Sequence, residues 1–202
     1  ASFNINYTYM DDKGFVQGNN LIKNTFGIGG TAKLANKLTL SGSFNYAITD
    51  FKSPPTAVSF GSNPTASSVF GNLIYTPIAV NLMGSPADGN NYLPWENPLD
   101  KSSVYYRSSN DIQNPRWTVN NGFTGQKINR IFGFLSARYD VLKNLALTYR
   151  VGLDQYSDNN FLSQNKGGTA GGTQYQLGMH RTVNGYNTIW NHDFFANYNK
   201  DL

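Results

Sequence analysis

Hydrophobic and polar residues alternate with a period of two over six stretches of this chain, the pattern of a β-strand with one apolar face. Phe3, Ile5, Tyr7 and Tyr9 alternate with Asn4, Asn6 and Thr8. Phe26, Ile28, Gly30, Ala32 and Leu34 alternate with Thr25, Gly27, Gly29, Thr31 and Lys33. After the short polar turn Ala35-Asn36-Lys37 the pattern resumes with Leu38, Leu40, Gly42, Phe44, Tyr46 and Ile48. The same plan returns with Ile131, Gly133, Leu135, Ala137, Tyr139 and Val141, the turn Leu142-Lys143-Asn144, then Leu145, Leu147, Tyr149, Val151 and Leu153. A sixth strand is predicted from Thr173 towards Lys200, with Trp190, His192, Phe194, Ala196 and Tyr198 on one face, and a third short turn is expected to begin at Asn199. Phe132 and Phe134 interrupt the polar side of the fourth strand and are expected to pack against something on that side.

Between residues 51 and 127 the alternation stops. All eight prolines lie there, and proline cannot donate to a sheet ladder. Val69, Phe70 and Leu73 predict a short helix over Ala66–Tyr75 that Pro77 would stop. The glycine-rich run 165–172 lacks the spacing of a phosphate-binding loop and reads as a flexible tip. The predicted loops 10–21, 50–128 and 157–173 fall at one end of the strands and the short turns at the other. Such long strands, tight turns and long loops are the signature of a transmembrane β-barrel, with turns periplasmic and loops extracellular. The predicted fold class is therefore all-β: an antiparallel transmembrane β-barrel segment of about six consecutive long strands.

Composition narrows the classes. Of 202 residues, 39% are hydrophobic, 14% charged and 14% aromatic, which argues against disorder. No apolar run approaches the roughly 18 residues of a membrane helix, whereas a barrel strand needs only alternate apolar positions. Cysteine is absent, so disulfides and thiolate metal sites are excluded. The net charge of +4 comes from scattered basic residues, unsuited to tracking a phosphate backbone, so no nucleic-acid partner is expected.

Candidate chemistry is sparse. His180 and His192 lack metal-ligand spacing, so no metal or cofactor is expected. The Asp11-Asp12 pair reads as a polar loop tip, and no Gly-x-Ser-x-Gly elbow occurs, so an enzyme is not expected. Trp95, Tyr105, Tyr106 and Trp117 in the long loop are candidate substrate-binding residues, because flat rings with a polar edge suit sugar faces and protein interfaces. The competing reading is that they pack the loop on itself, with Asn114-Pro115-Arg116-Trp117 bracing the start of the fourth strand. Polar faces carrying Arg130, Arg138, Asp140, Arg150 and Asp154 suit a wet lumen.

Several segments resemble SusC/RagA-type TonB-dependent transporters. They are Tyr7-Thr8-Tyr9-Met10-Asp11-Asp12-Lys13-Gly14, Lys23-Asn24-Thr25-Phe26, Lys37-Leu38-Thr39-Leu40-Ser41-Gly42, Asn114-Pro115-Arg116-Trp117 leading into Asn129-Arg130-Ile131-Phe132-Gly133, the run from Tyr139 to Asp154, and Asp193-Phe194-Phe195-Ala196-Asn197-Tyr198-Asn199-Lys200. The resemblance implies an outer-membrane barrel of about 22 strands with an N-terminal plug. It implies import of oligosaccharides or peptides in a Gram-negative bacterium, with a SusD-like surface lipoprotein as partner, energy supplied through TonB, and contact with outer-membrane lipid and lipopolysaccharide. On this reading residues 1–202 are part of the barrel domain, the plug and remaining strands lie outside them, and 51–127 is a long extracellular insertion. Arg130, Arg138, Asp140, Arg150 and Asp154 would then face the lumen and contact the plug. Two other readings stay open: a passive porin or adhesin barrel, and a soluble carbohydrate-binding β-sandwich whose apolar face packs inward.

Overall fold

The computed structural model describes residues 1–35, 37–55, 68–89, 92–106, 113–169 and 176–200. Among these residues six strands form one antiparallel sheet: β1 Ser2–Lys13, β2 Asn20–Ala35, β3 Leu38–Ser53, β4 Gly122–Leu142, β5 Leu145–Gln164 and β6 Met179–Tyr198. They pair in chain order, and β1 and β6 do not meet, so the fold is all-β with an open sheet. Two helices of seven residues, α1 Val69–Tyr75 and α2 Pro115–Asn121, and a 3-10 turn at Pro86–Asp88 lie in the connection between β3 and β4.

The strands reach further than the alternation predicts. β1 continues through Asp11 and Asp12, β4 begins at Gly122 rather than Arg130, and β5 runs to Gln164. The predicted loops therefore shrink to 14–19, 54–121 and 165–178, and the insertion expected over 51–127 loses its ends to β3 and β4. The physical reason is that ladder bonds join main chains. Asp50↔Lys127 and Lys52↔Gly125 pair as regularly as Phe44↔Gly133, although their side chains no longer alternate in polarity. β6 starts at Met179, and residues 173–175 of its expected beginning lie outside the described residues. So do Asn36 of the first short turn and the end of the turn expected after Asn199. Both short hairpins carry a register shift beside the turn, at Lys33/Ala35 and at Asp140/Leu142, so the repeated plan extends to the irregularity.

The helices follow local rules. Ser68 caps α1, its Oγ accepting from the Gly71 N–H at 2.8 Å, and Thr76 ends it one residue before Pro77. The described helix is shorter than predicted, and residues 66 and 67 lie outside the described set. In α2 the Asn114 Oδ1 accepts from the Arg116 N–H at 2.9 Å, and Pro115 takes the first turn, where its missing N–H costs nothing.

One face of the sheet is apolar and uncovered by any described residue. It carries Phe3, Ile28, Phe44, Leu135, Val151 and Trp190, with Phe3 84% and Trp190 60% exposed. The apolar run on this face is Phe3–Tyr9 on β1 and Trp190–Tyr198 on β6. The loop-side edge of the band is Tyr9 on β1 and Trp190 on β6, and Trp190 leads through the register to Leu153, Gly133, Phe44, Ile28 and Ile5. That edge thus slides by about four residues over five strand steps, roughly 13 Å along the strands against roughly 24 Å across them. Its slope is about 30° from the hydrogen-bonding direction. Towards the loop end the same face turns polar, with Asp11, Asp50 and Lys127.

The core sits away from the sheet. The largest fully buried side chains are Trp117, Gln113, Asn72, Asn114, Thr118 and Ser68, all from the connection between β3 and β4. That connection folds into a cap over the loop end of the strands.

Candidate functional site

The cap is built around α2. Trp117 is 0% exposed, and its indole Nε1–H donates to the Lys101 carbonyl at 2.9 Å. Arg116 reaches the other way and donates from its guanidinium to the Leu82 carbonyl at 2.8 Å. The segment 95–104 doubles back on itself: Val104 N–H donates to the Trp95 carbonyl at 3.3 Å and Asn97 N–H to the Ser102 carbonyl at 2.9 Å. Lys101 at its tip has a positive φ of 63° and pairs with Glu96 at 3.0 Å. At Asp100 the carboxylate accepts from the Ser102 hydroxyl at 2.7 Å and from the Ser102 N–H at 3.0 Å. These bonds, the hydroxyl first, hold its pKa below the usual carboxylate value.

Polar groups fill the rest of the cap interior. Gln113 Nε2 donates to Thr118 Oγ1 at 2.8 Å, the Asn114 N–H donates to Ser103 Oγ at 3.0 Å, and Thr169 N–H donates to Gln113 Oε1 at 3.3 Å. Gly167, expected in a flexible tip, is locked in. Its φ is +105°, its carbonyl accepts from Ser103 N–H at 2.8 Å, and a Cβ there would sit 2.8 Å from Ser102 Cα. Glycine is needed for both the backbone conformation and the close approach. Residues 170–172 of that run lie outside the described residues.

The four candidate aromatics have different surroundings. Trp117 is fully buried in the interior of the cap. Tyr105 and Tyr106 lie together, ring centroids 4.3 Å apart, and Tyr106 Oη–H donates to the Tyr75 carbonyl at 3.2 Å, tying the segment to α1. Trp95 is half-buried beside Val104. The sequence signal that separates Trp117 from the others is its place three residues after the capping Asn114.

The five charged candidates all lie on the polar face. Arg130 clamps Asp154 across the strands with Nε–Oδ1 2.9 Å and Nη2–Oδ2 2.6 Å, and its guanidinium lies 5.1 Å from the Phe132 ring centroid. Arg138 pairs along its own strand with Asp140 at 3.0 Å. Arg150 stacks 5.0 Å from the Phe134 centroid and makes no ion pair among the described residues. Asn6, Gly27 and Asn45 are register neighbours, and the two amides occupy the space that a Gly27 side chain would need. Clefts lined by Asn4, Asn6 and Asn45 on one side and by Asn191 on the other flank the Phe132–Phe134 ridge. Alternation places these asparagines on one face; it does not reveal that they gather around two phenylalanines from another strand.

His192 sits on the apolar face, its Nδ1 2.7 Å from the Tyr149 hydroxyl and its ring stacked between Tyr149 and Trp190. Asp11 and Asp12 lie on β1 rather than at a loop tip. Among the described residues no group of three His, Cys, Asp or Glu side chains converges as a metal site, and no helix is long and apolar enough to cross a membrane.

An all-β sheet with one uncovered apolar face, one amide- and arginine-rich face and a folded cap at one end is the class that the geometry defines. In comparison with known proteins, the chain matches no family model and no curated protein.

Proposed function

We propose that this chain is part of the wall of an outer-membrane, TonB-dependent transporter of the SusC/RagA type, which imports oligosaccharides or peptides with a SusD-like surface lipoprotein. The observation that carries this reading is the oblique apolar band. A sheet that is apolar on one face must bury that face against something. Membrane strands tilt by about 35–45°, so the lipid-facing band of a barrel crosses them obliquely. The slope of about 30° along the loop-side edge has the sense and nearly the size of that tilt. The polar face then lines the lumen, the short turns are periplasmic and the cap is extracellular. As a membrane wall the sheet needs further strands against β1 and β6, because an open edge in lipid leaves main-chain groups unsatisfied. The order of sequence motifs along the chain supports the transporter over a passive porin or adhesin.

Fractionation of the native full-length protein tests the reading. It is expected in the outer membrane, released only by detergent, and to pull down a surface lipoprotein. A protein that stays soluble and monodisperse without detergent would sink the membrane reading in favour of a soluble carbohydrate-binding β-sandwich.

A further inference from the structure

We propose that the row of short turns is a binding rim for anionic phospholipid headgroups, with Lys37, Lys143 and Lys200 as the groups that meet their phosphodiesters. The inference rests on the barrel-wall reading above and adds to it a preference among lipids. At the turn end of the sheet a lysine recurs beside an asparagine: Asn36-Lys37, Lys143-Asn144 and Asn199-Lys200. All three lysines are exposed, and none makes an ion pair among the described residues. The nearest described carboxylates are engaged on the opposite face of the sheet. Asp140 pairs with Arg138 at 3.0 Å, and Asp193 accepts from Asn191 Nδ2 at 3.1 Å. Asp201, next to Lys200 in sequence, lies outside the described residues.

Two observations put these cations at headgroup depth. First, the lysines step across the sheet as the apolar band does. The Lys37 carbonyl accepts from the Asp140 N–H at 2.8 Å, and Asp140 leads through the register to Ala146 and Asn197. Lys143 stands three residues beyond Asp140, and Lys200 three beyond Asn197. From β3 to β6 the row thus slides by three residues over three strand steps, in the sense of the band edge and close to its slope. A membrane plane laid along the band passes near all three lysines. Second, the apolar face continues to the turns. The register shift beside Asp140 pairs Leu142 with Leu145 and so brings Leu142 onto the apolar face, in one row with Tyr198. Leu142 and Tyr198 are 59% and 61% exposed, one and two residues from Lys143 and Lys200. Tyrosine favours the membrane interface, and a lysine stem lies along apolar surface while its ammonium reaches the phosphate layer. The ammonium acts there as a point charge suited to phosphate. A soluble acidic partner would gain nothing from the adjoining leucine and tyrosine, whereas a lipid leaflet uses both.

The test uses full-length protein reconstituted in vesicles of phosphatidylethanolamine with about one fifth phosphatidylglycerol. Lipids retained on gentle detergent extraction are quantified by mass spectrometry. They are expected to be enriched in phosphatidylglycerol by at least about threefold over the vesicle. Lys37→Glu, Lys143→Glu and Lys200→Glu together should abolish the enrichment. The corresponding triple change to arginine should keep it, and about 1 M salt should weaken it. A charge-matched control at the loop end, Lys13→Glu with Lys52→Glu and Lys127→Glu, should leave it in place. A further readout needs no charge reversal: a spin label on Lys143→Cys should lie within about 6 Å of the hydrocarbon edge. No enrichment, loss in the arginine variant, equal loss in both glutamate variants, or a label in open water overturns the rim. Insertion without phosphatidylglycerol enrichment sinks the rim alone, whereas a protein that stays soluble sinks the wall reading beneath it.

Discussion

Trp117 joins the largest hydrophobic payload in the cap to a single directed bond, and the two can be separated by substitution. Trp117→Ala removes both and should cost about 3–5 kcal/mol of cap stability. Trp117→Phe keeps most of the packing but strands the Lys101 carbonyl, at about 1–3 kcal/mol. Hydrogen exchange of α2 and 95–104 amides in the full-length protein checks the order; equal protection in both variants would remove the bond from the account. Asp100 makes a prediction of opposite character. Its carboxyl pKa is lowered in the folded cap, chiefly by the Ser102 hydroxyl. Its contribution is therefore complete above the ordinary carboxylate pKa and is lost as pH falls through the depressed one. An NMR titration of the Asp100 carboxyl should give a midpoint below that of Asp in an unfolded peptide, and Ser102→Ala should raise it. A midpoint unchanged by Ser102→Ala would contradict the assignment.

At the level of elements, α2 depends on its first residue. Asn114→Ala should destabilise it by about 1 kcal/mol, read as faster exchange at the Arg116 amide, which loses its acceptor. The β4–β5 ladder depends far less on its ion pair. The Arg130 and Asp154 side chains are 49% and 33% exposed, so solvent screens them despite their two-point geometry. A double-mutant cycle on Arg130→Ala and Asp154→Ala should return a coupling of about 0.5–1 kcal/mol. A coupling several times larger would mean that the site is drier than its exposure indicates. Element boundaries also show where sequence patterns stop informing. Alternation tracks the apolar band, and the strands outrun the band because the main-chain ladder is indifferent to side-chain polarity.

For the whole molecule, the decisive quantity is what covers the apolar face. If it is lipid, a charge placed there costs free energy according to depth. Phe44→Arg, near the middle of the band, should destabilise the full-length protein in vesicles by about 2–4 kcal/mol, and Ile48→Arg near its edge by about 0–1. Thr25→Arg on the polar face should stay within about 0.5 kcal/mol. Denaturant titration of the reconstituted protein gives all three values. Equal costs at Phe44 and Ile48, without depth dependence, would argue for a protein layer over this face.

Period-two alternation and the two duplicated strand–turn–strand units determined by themselves the all-β class and the six strands seen among the described residues, with one apolar face, because side-chain direction follows from the strand period alone. They also placed Arg130, Arg138, Asp140, Arg150 and Asp154 on one face. Only the tertiary structure decided how strand register sets the slope of the apolar band, since that slope is a relation between strands rather than a property of any one. It alone showed that the proline-rich connection folds into a cap, for the polar residues Gln113, Asn114 and Thr118 are buried by mutual hydrogen bonding that no hydropathy pattern records. And it alone distinguished Arg150 from Arg130 and Arg138. The three share a face and a chemistry in sequence, and differ in whether a carboxylate of the same sheet pairs with them: Asp154 and Asp140 do, whereas Asp193, opposite Arg150, accepts from Asn191.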